Sequence, residues 1–355
     1  MSYLPKFFFS LLACGLLSWC ACQKEDTDPV EPDPVQFSCA DQPTVCQLSA
    51  ANGNFAIDLW QQVTKDEAED NNIFLSPFSI STALHMTLNG ADAMTYEQME
   101  TVLRTEVFSQ QARNEAFQTL LTTLSRLDPH TQLELANSIW PKEGYPVRST
   151  FLEENATYYN SEVIPINFAD LPAAISQVNE WISDKTNGLI KNALTELPSH
   201  VVMLLVNAIY FKGEWQVAFD PEDTYASEFQ SAAGPQAVDM MHLPEARLPY
   251  FQTEIFQAVD LAYGDSIFSM SIFVPKPGYD VHDISEQLTA ANWDSWINSF
   301  QPTHIDLSLP KFKMEYEIKL KKSLVTMGMT EAFSDLADFS RMIEGRSVKI
   351  DEVIH

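Results

Sequence analysis

Apolar residues in this chain recur at two periods, and the switches between them mark out its elements. Phe55, Leu59 and Val63 fall four apart, which predicts an amphipathic first helix. The short apolar run Ile73–Leu75 reads as a strand. It leads into Ser76 and Pro77, a pair suited to the N-cap and first position of a helix. Ser79, Ser81 and Thr82 then sit among apolar neighbours. A buried hydroxyl without a partner costs about 1–3 kcal/mol, so three of them in one buried helix predict three specific partners. Tyr96–Leu103 and Arg113–Leu127 read as further helices, and Ile175, Val178 and Ile182 stripe another that Asn187-Gly188 stops.

Period two takes over in Gln132–Trp140, where Leu133, Leu135 and Ile139 alternate with polar positions. Val201–Phe211 is almost wholly apolar, the signature of a strand covered on both faces. Ile267–Val274 is another strand, closed by Pro275-Lys276-Pro277-Gly278. Ile305–Leu309 runs into Pro310-Lys311-Phe312, and Ile318–Met327 reads as a late helix. Intermixed helices and strands without an internal repeat predict one mixed α+β domain.

Composition supports that body: 45% of the 355 residues are hydrophobic and 11% aromatic, enough for a sizeable core. A formal net charge of −28 argues against nucleic acid or a polyanionic polysaccharide as partner, because phosphate and sulfate binding needs clustered cations.

All the cysteines, Cys14, Cys20, Cys22, Cys39 and Cys46, lie at the start of the chain. Residues 1–22 hold one lysine, Lys6, and an apolar run too short to span a bilayer, which reads as a secretory signal. Ala21 followed by Cys22 resembles a bacterial lipoprotein cleavage site. Trp19 replaces the usual leucine, and plain signal cleavage is the alternative. Gln23-Lys24-Glu25-Asp26 resembles a signal that routes lipoproteins to the cell surface. Residues 23–46, acidic and carrying Pro29, Pro32 and Pro34, read as an extended tether, with the folded domain at 47–355. In an oxidising compartment Cys39 and Cys46 could bridge a short loop, worth roughly 2.5 kcal/mol, or stay unpaired.

Five segments, in order, resemble the serpins, a family built mainly of protease inhibitors. Asn72–Gly90 resembles the start of the family's helix B, and Leu133–Trp140, which holds Asn137, resembles strand 2 of its large sheet A. Val206–Trp215, with Phe211-Lys212-Gly213-Glu214-Trp215, is similar to the end of strand 3A and its turn. Leu309–Phe312 and Leu324–Phe333, followed by Ala337-Asp338-Phe339-Ser340, resemble two later segments. The resemblance implies a fold of three β-sheets with about eight or nine helices.

It also implies a mechanism. An exposed reactive loop baits a protease, which forms an acyl-enzyme. The cut loop then inserts into sheet A and deforms the protease before hydrolysis. The partner implied is therefore a target serine or cysteine protease. The inhibitor has no catalytic residue and needs no cofactor or metal. Ser76, Ser79, Asn207 and His355 match the shutter, where sheet A must open, and Trp215 matches the breach, where the loop enters. Helix Ala173–Lys185 matches the one lying over sheet A. The sequence ends at His355, where the family continues into strand 5A, the hinge, the reactive loop and the last strands of sheets B and C. A polypeptide ending there would carry no bait and would leave Val201–Phe211 with an open, aggregation-prone edge. A shortened sequence is expected in preference to a new function.

No nucleophile elbow, zinc-protease motif, phosphate loop or Cys-x-x-Cys stands in the body, which disfavours an enzyme. The seven histidines never fall at metal spacing, and His85 reads as a core or helix-surface residue. Glu97 and Glu100 occupy the region where heparin-activated serpins are basic, so heparin activation is not expected. The remaining alternative is a non-inhibitory binding protein of the same family. The whole reading is a monomeric, secreted or cell-surface lipoprotein, held at the outer membrane by its lipid.

Overall fold

The computed structural model describes residues 37–68, 71–231 and 234–355. The segment expected to be a signal at 1–22, with Cys22, and most of the expected tether lie outside them. Helix α1 (Pro43–Asp66) begins ahead of the expected boundary at 47, opened by Pro43 at its first turn, so Cys46 belongs to the body. Cys39 and Cys46 are joined in a disulfide with Cα atoms 5.6 Å apart. The α1 stripe Leu48, Phe55, Leu59 and Val63 is completely buried.

Helices α2 (Pro77–Leu88), α3 (Ala93–Val102), α4 (Gln110–Leu124) and α5 (Ser149–Tyr159) pack with α1 into the main core. Both α3 and α4 begin three residues before the expected positions. Asp92 caps Ala93, and the Ser109 hydroxyl accepts from Ala112 N at 3.2 Å. Ile73–Leu75 is not a strand, because no neighbouring segment pairs with it. It runs as a linker whose Ile73 and Leu75 side chains lean on the core.

One sheet has the order β2 (Ser161–Val163), β1 (Thr131–Pro141), β3 (Met203–Gly213), with β1 and β3 antiparallel and Asn137 directly opposite Asn207. Side-chain alternation divides its faces. Leu135, Ile139, Met203 and Leu205 point into the helical core, while Ala136, Trp140, Leu204, Val206 and Ala208 face helix α6 (Leu171–Lys185). Ala174, Val178, Trp181 and Ile182 supply the apolar face of α6. The expected Val201–Phe211 strand is only half-buried, because β3 is the edge of this sheet among the described residues.

The other network runs β4 (Tyr225–Ser231), β5 (Gly234–Gln252), β6 (Phe256–Ala262), β7 (Ser269–Pro275), with β8 (Gln301–Pro310) paired to β5. Its 19-residue strand β5 shifts register between Leu243 and Ala246, which lets one strand serve two arms. Helices α7 (Val281–Glu286) and α8 (Ala290–Ile297) cover its aromatic end, where Trp296 meets Phe256 and Phe273. The helix expected at Ile318–Met327 shrinks to α9 (Lys321–Met327). Ile318 instead exchanges backbone hydrogen bonds with His355, at 2.7 and 2.9 Å.

Candidate functional site

Each hydroxyl of α2 has a partner. Thr82 Oγ1 donates to Phe78 O at 2.8 Å, Ser81 Oγ to Asn52 Oδ1, and Ser79 Oγ to Asn207 Oδ1. The last of these begins a directional chain. Asn207 Nδ2 donates to Asn137 Oδ1 at 2.7 Å, and Asn137 Nδ2 donates to Tyr159 O at 2.8 Å. Tyr159 O is one of the carbonyls left over at the C-terminal end of α5, so Asn137 caps that helix from the side. The chain therefore ties α2 to β3, β3 to β1 and β1 to α5. It can form because positions 137 and 207 face each other in register on the helical side of the sheet.

Four residues were expected to share one shutter network, and the structure divides them. Ser79 and Asn207 belong to the chain above, joined by Asn137. His355 stands apart: its Nε2 accepts from the backbone N–H of Ser76 at 2.9 Å. Ser76 occupies the N-cap of α2, yet its hydroxyl caps nothing. Accepting at Nε2 requires a neutral imidazole protonated at Nδ1, and burial holds the pKa of His355 below its ordinary 6.5. Thus His355 pins the start of α2 to the segment beside Ile318, while Ser79 pins its first turn to β3.

Behind this chain lies a second buried polar group. His85 is fully buried, its ring 4.5 Å from that of Phe117, and Nδ1 donates to Ser81 O at 2.8 Å. Burial, then the nearby Arg113 cation, pulls its pKa down to about 3. Arg113 is itself fully buried. It donates to Tyr96 Oη at 3.0 Å and Asn89 Oδ1 at 3.4 Å, and lies 3.5 Å from Glu100.

At the far end of β3, Trp215 is half-buried and stacks on Tyr263, with centroids 4.3 Å apart and 16° between planes. Phe211 meets the same tyrosine edge-on at 5.1 Å. Gly264 N donates to Glu214 O and Gln216 N to Ala262 O, both at 2.9 Å, so the turn after β3 is laced to the end of β6. A side chain at Gly213 would strike the Tyr263 ring at 2.8 Å, so glycine is what lets the two approach.

The structure thus brings Ser79, Asn137 and Asn207 together, places Ser76 and His355 beside them, and sets Trp215 at the other end of β3. Sequence reading missed Tyr263 and Tyr159. Tyr159 O and Tyr263 act through three-dimensional neighbours, and only the alternation that puts Asn137 on the helical face hinted at the first.

Comparison with known proteins agrees with this geometry. The family model described as Serpin (serine protease inhibitor) matches residues 50–355, and the chain belongs to that family. It is 33% identical to an uncharacterized serpin-like protein of Thermococcus kodakarensis, over 86% of this chain and 70% of that protein. It is 32% identical to serpin B3 of Homo sapiens, over 87% and 84% respectively. Among solved structures, ovalbumin from emu superposes with a TM-score of 0.82 at 26% identity, covering 86% of this chain and 84% of that one. Reactive-loop-cleaved human thyroxine-binding globulin gives 0.82 at 26% identity, covering 88% and 92%. The mixed α+β serpin fold is therefore the fold of this chain. Serpins are in general inhibitors rather than enzymes, and proteases are their typical partners.

Proposed function

We propose that this protein inhibits serine proteases, and by extension some cysteine proteases, by conformational trapping. The protease nucleophile attacks the scissile carbonyl of the bait, the amine end departs, and an acyl-enzyme remains, an ester on serine or a thioester on cysteine, while the cut strand enters the sheet beside β3. The observation that carries this reading is the chain Ser79–Asn207–Asn137–Tyr159 O. It holds an edge strand to a helix and to its neighbour by hydrogen bonds that can break and re-form, a fitting latch for a sheet that must open. In this reading Ser76 and His355 fix the start of α2, and Trp215 with Tyr263 forms the end where a new strand enters. No residue of the inhibitor does catalysis, and it acts as a monomer.

The test uses the full-length gene product. Incubation with trypsin-, chymotrypsin-, elastase-, subtilisin- and papain-type proteases should give a one-to-one adduct stable in SDS for at least one of them. Cleavage or indifference throughout the panel, with no adduct, would replace this reading with a non-inhibitory binding protein. We also propose that Cys22 is lipidated and holds the protein on the outer, protease-exposed side of the membrane. Labelling with a clickable fatty acid should mark the wild type and not a Cys22→Ser variant.

A further inference from the structure

The turn before β1 and the turn after β6 meet at three side chains that the inhibitory reading does not use. Asp128 has a completely buried side chain, while His130 and Asp265 are exposed. One ligand atom from each lies within 4.8 Å of the others. His130 Nδ1 stands 3.3 Å from Asp265 Oδ1 and 3.9 Å from Asp128 Oδ1. We propose that Asp128, His130 and Asp265 form a binding site for one divalent transition-metal ion of the zinc class.

Geometry and charge both support this. Two donors each about 2.0–2.2 Å from a tetrahedral ion lie roughly 3.3–3.6 Å apart, which the His130–Asp265 separation already satisfies. The exposed side chains of His130 and Asp265 are free to rotate and close the remaining gap, while Asp128 is fixed. Its Oδ2 accepts from Asp265 N at 3.0 Å and Thr131 Oγ1 at 3.1 Å, and its Oδ1 accepts from His130 N at 2.8 Å. Oδ1 keeps a lone pair for a further partner. Among the described residues no Lys or Arg lies within ion-pair distance of this buried carboxylate, and its sole ionic neighbour is the His130 ring. A buried charge is ordinarily paired or bound to metal, and two carboxylates with an imidazole nitrogen donor match a doubly charged cation. The mixed nitrogen and oxygen donor set selects zinc over calcium or magnesium, which take oxygen ligands. Waters would complete the coordination.

The ion would clamp the segment ahead of β1 to the turn between β6 and β7. Thr131 pairs with Gly213, and Gly264 adjoins Tyr263, so the clamp sits next to Trp215. Its binding does not depend on the inhibitory reading.

Zn²⁺ titration of the folded protein by calorimetry, with a parallel thermal melt, is the experiment. One-to-one binding that raises Tm is expected. His130→Ala and Asp265→Asn should each weaken binding at least about tenfold, and His242→Ala, at a histidine elsewhere on β5, should leave it unchanged. Asp265→Asn retains the backbone N–H that holds Asp128, and His130 is exposed, so both variants should fold; circular dichroism checks this. Absence of saturable binding by the wild type, undiminished binding by His130→Ala, or tighter binding of Ca²⁺ than of Zn²⁺ would overturn the proposal.

Discussion

Lowering the pH from 7 to 5 should destabilise this protein, and His85 should account for a separable share of the loss. Burial and Arg113 hold its folded pKa near 3, whereas in the unfolded chain it titrates near its ordinary 6.5. Between those values the unfolded state binds a proton that the folded state refuses. Stability is therefore fully present above about pH 6.5 and falls as pH drops toward 3. The loss from pH 7 to 5 is RT ln of the ratio of unfolded-state binding terms, about 2 kcal/mol. It depends on the unfolded pKa alone, so long as the folded value lies well below 5. The assay is urea unfolding at pH 7, 6 and 5 for the wild type and His85→Gln, which keeps an amide to donate toward Ser81 O. His355, lowered in the same direction, contributes to both proteins, as do the carboxylates. The difference in pH dependence between the two proteins isolates His85. If the wild type and His85→Gln lost stability equally over this range, the folded imidazole would not be the neutral, excluded group described above.

The latch should show coupling. Asn137→Ala strands Tyr159 O and Asn207 Nδ2 and should cost about 2–4 kcal/mol, and a double-mutant cycle with Asn207→Ala should give about 1 kcal/mol or more of interaction energy in urea unfolding. Gly264→Ala combines positive φ, +44°, with a Cβ placed 2.5 Å from Asp128 Oδ2. It should therefore lose more than Gly144→Ala, which has φ +70° but open space and should cost only about 1–2 kcal/mol of backbone strain; comparing the two Tm shifts checks this. Trp215→Ala removes a half-buried ring from a stack and should cost about 2–3 kcal/mol, with a blue-shifted loss of its fluorescence on the same melts.

What the sequence revealed and what it hid follow a physical divide. The stripe of α1, the alternation of β1 and the hydroxyls of α2 were legible because each is a local rhythm of side chains. The seat of Asn207 was legible only through family resemblance, since one asparagine in an apolar strand carries no local sign of its partner. Element starts went astray where a cap decided them, as at Asp92 and Ser109. The helix at Ile318 failed because the partners of that backbone lie thirty-odd positions onward, at His355. The cluster Asp128, His130, Asp265 escaped any spacing rule, because its third member comes from a turn far along the chain.

The two faces of the β1–β3 sheet are held by different physics, and that difference favours one mode of opening. Toward α6 the contacts are apolar: Val178, Trp181 and Ile182 against Trp140, with Leu204 and Val206 alongside. Such contacts are non-directional, so α6 can shift over the sheet at a cost that grows gradually with exposed area. Toward the helices, Ser79, Asn207 and Asn137 hold β3 by bonds that tolerate little displacement before they fail. The hydrogen-bonded edge between β1 and β3 is longer still, eleven residues in register. A strand that enters beside β3 therefore need not break that ladder. It has only to release β3 from α2 at Ser79 while α6 yields, which concentrates the barrier in one hydroxyl–amide bond and its neighbours. On this argument Ser79→Ala should speed opening more than any single apolar truncation under α6, and amide exchange along β3 would measure it. A slower or unchanged exchange in Ser79→Ala would shift the barrier to the α6 face.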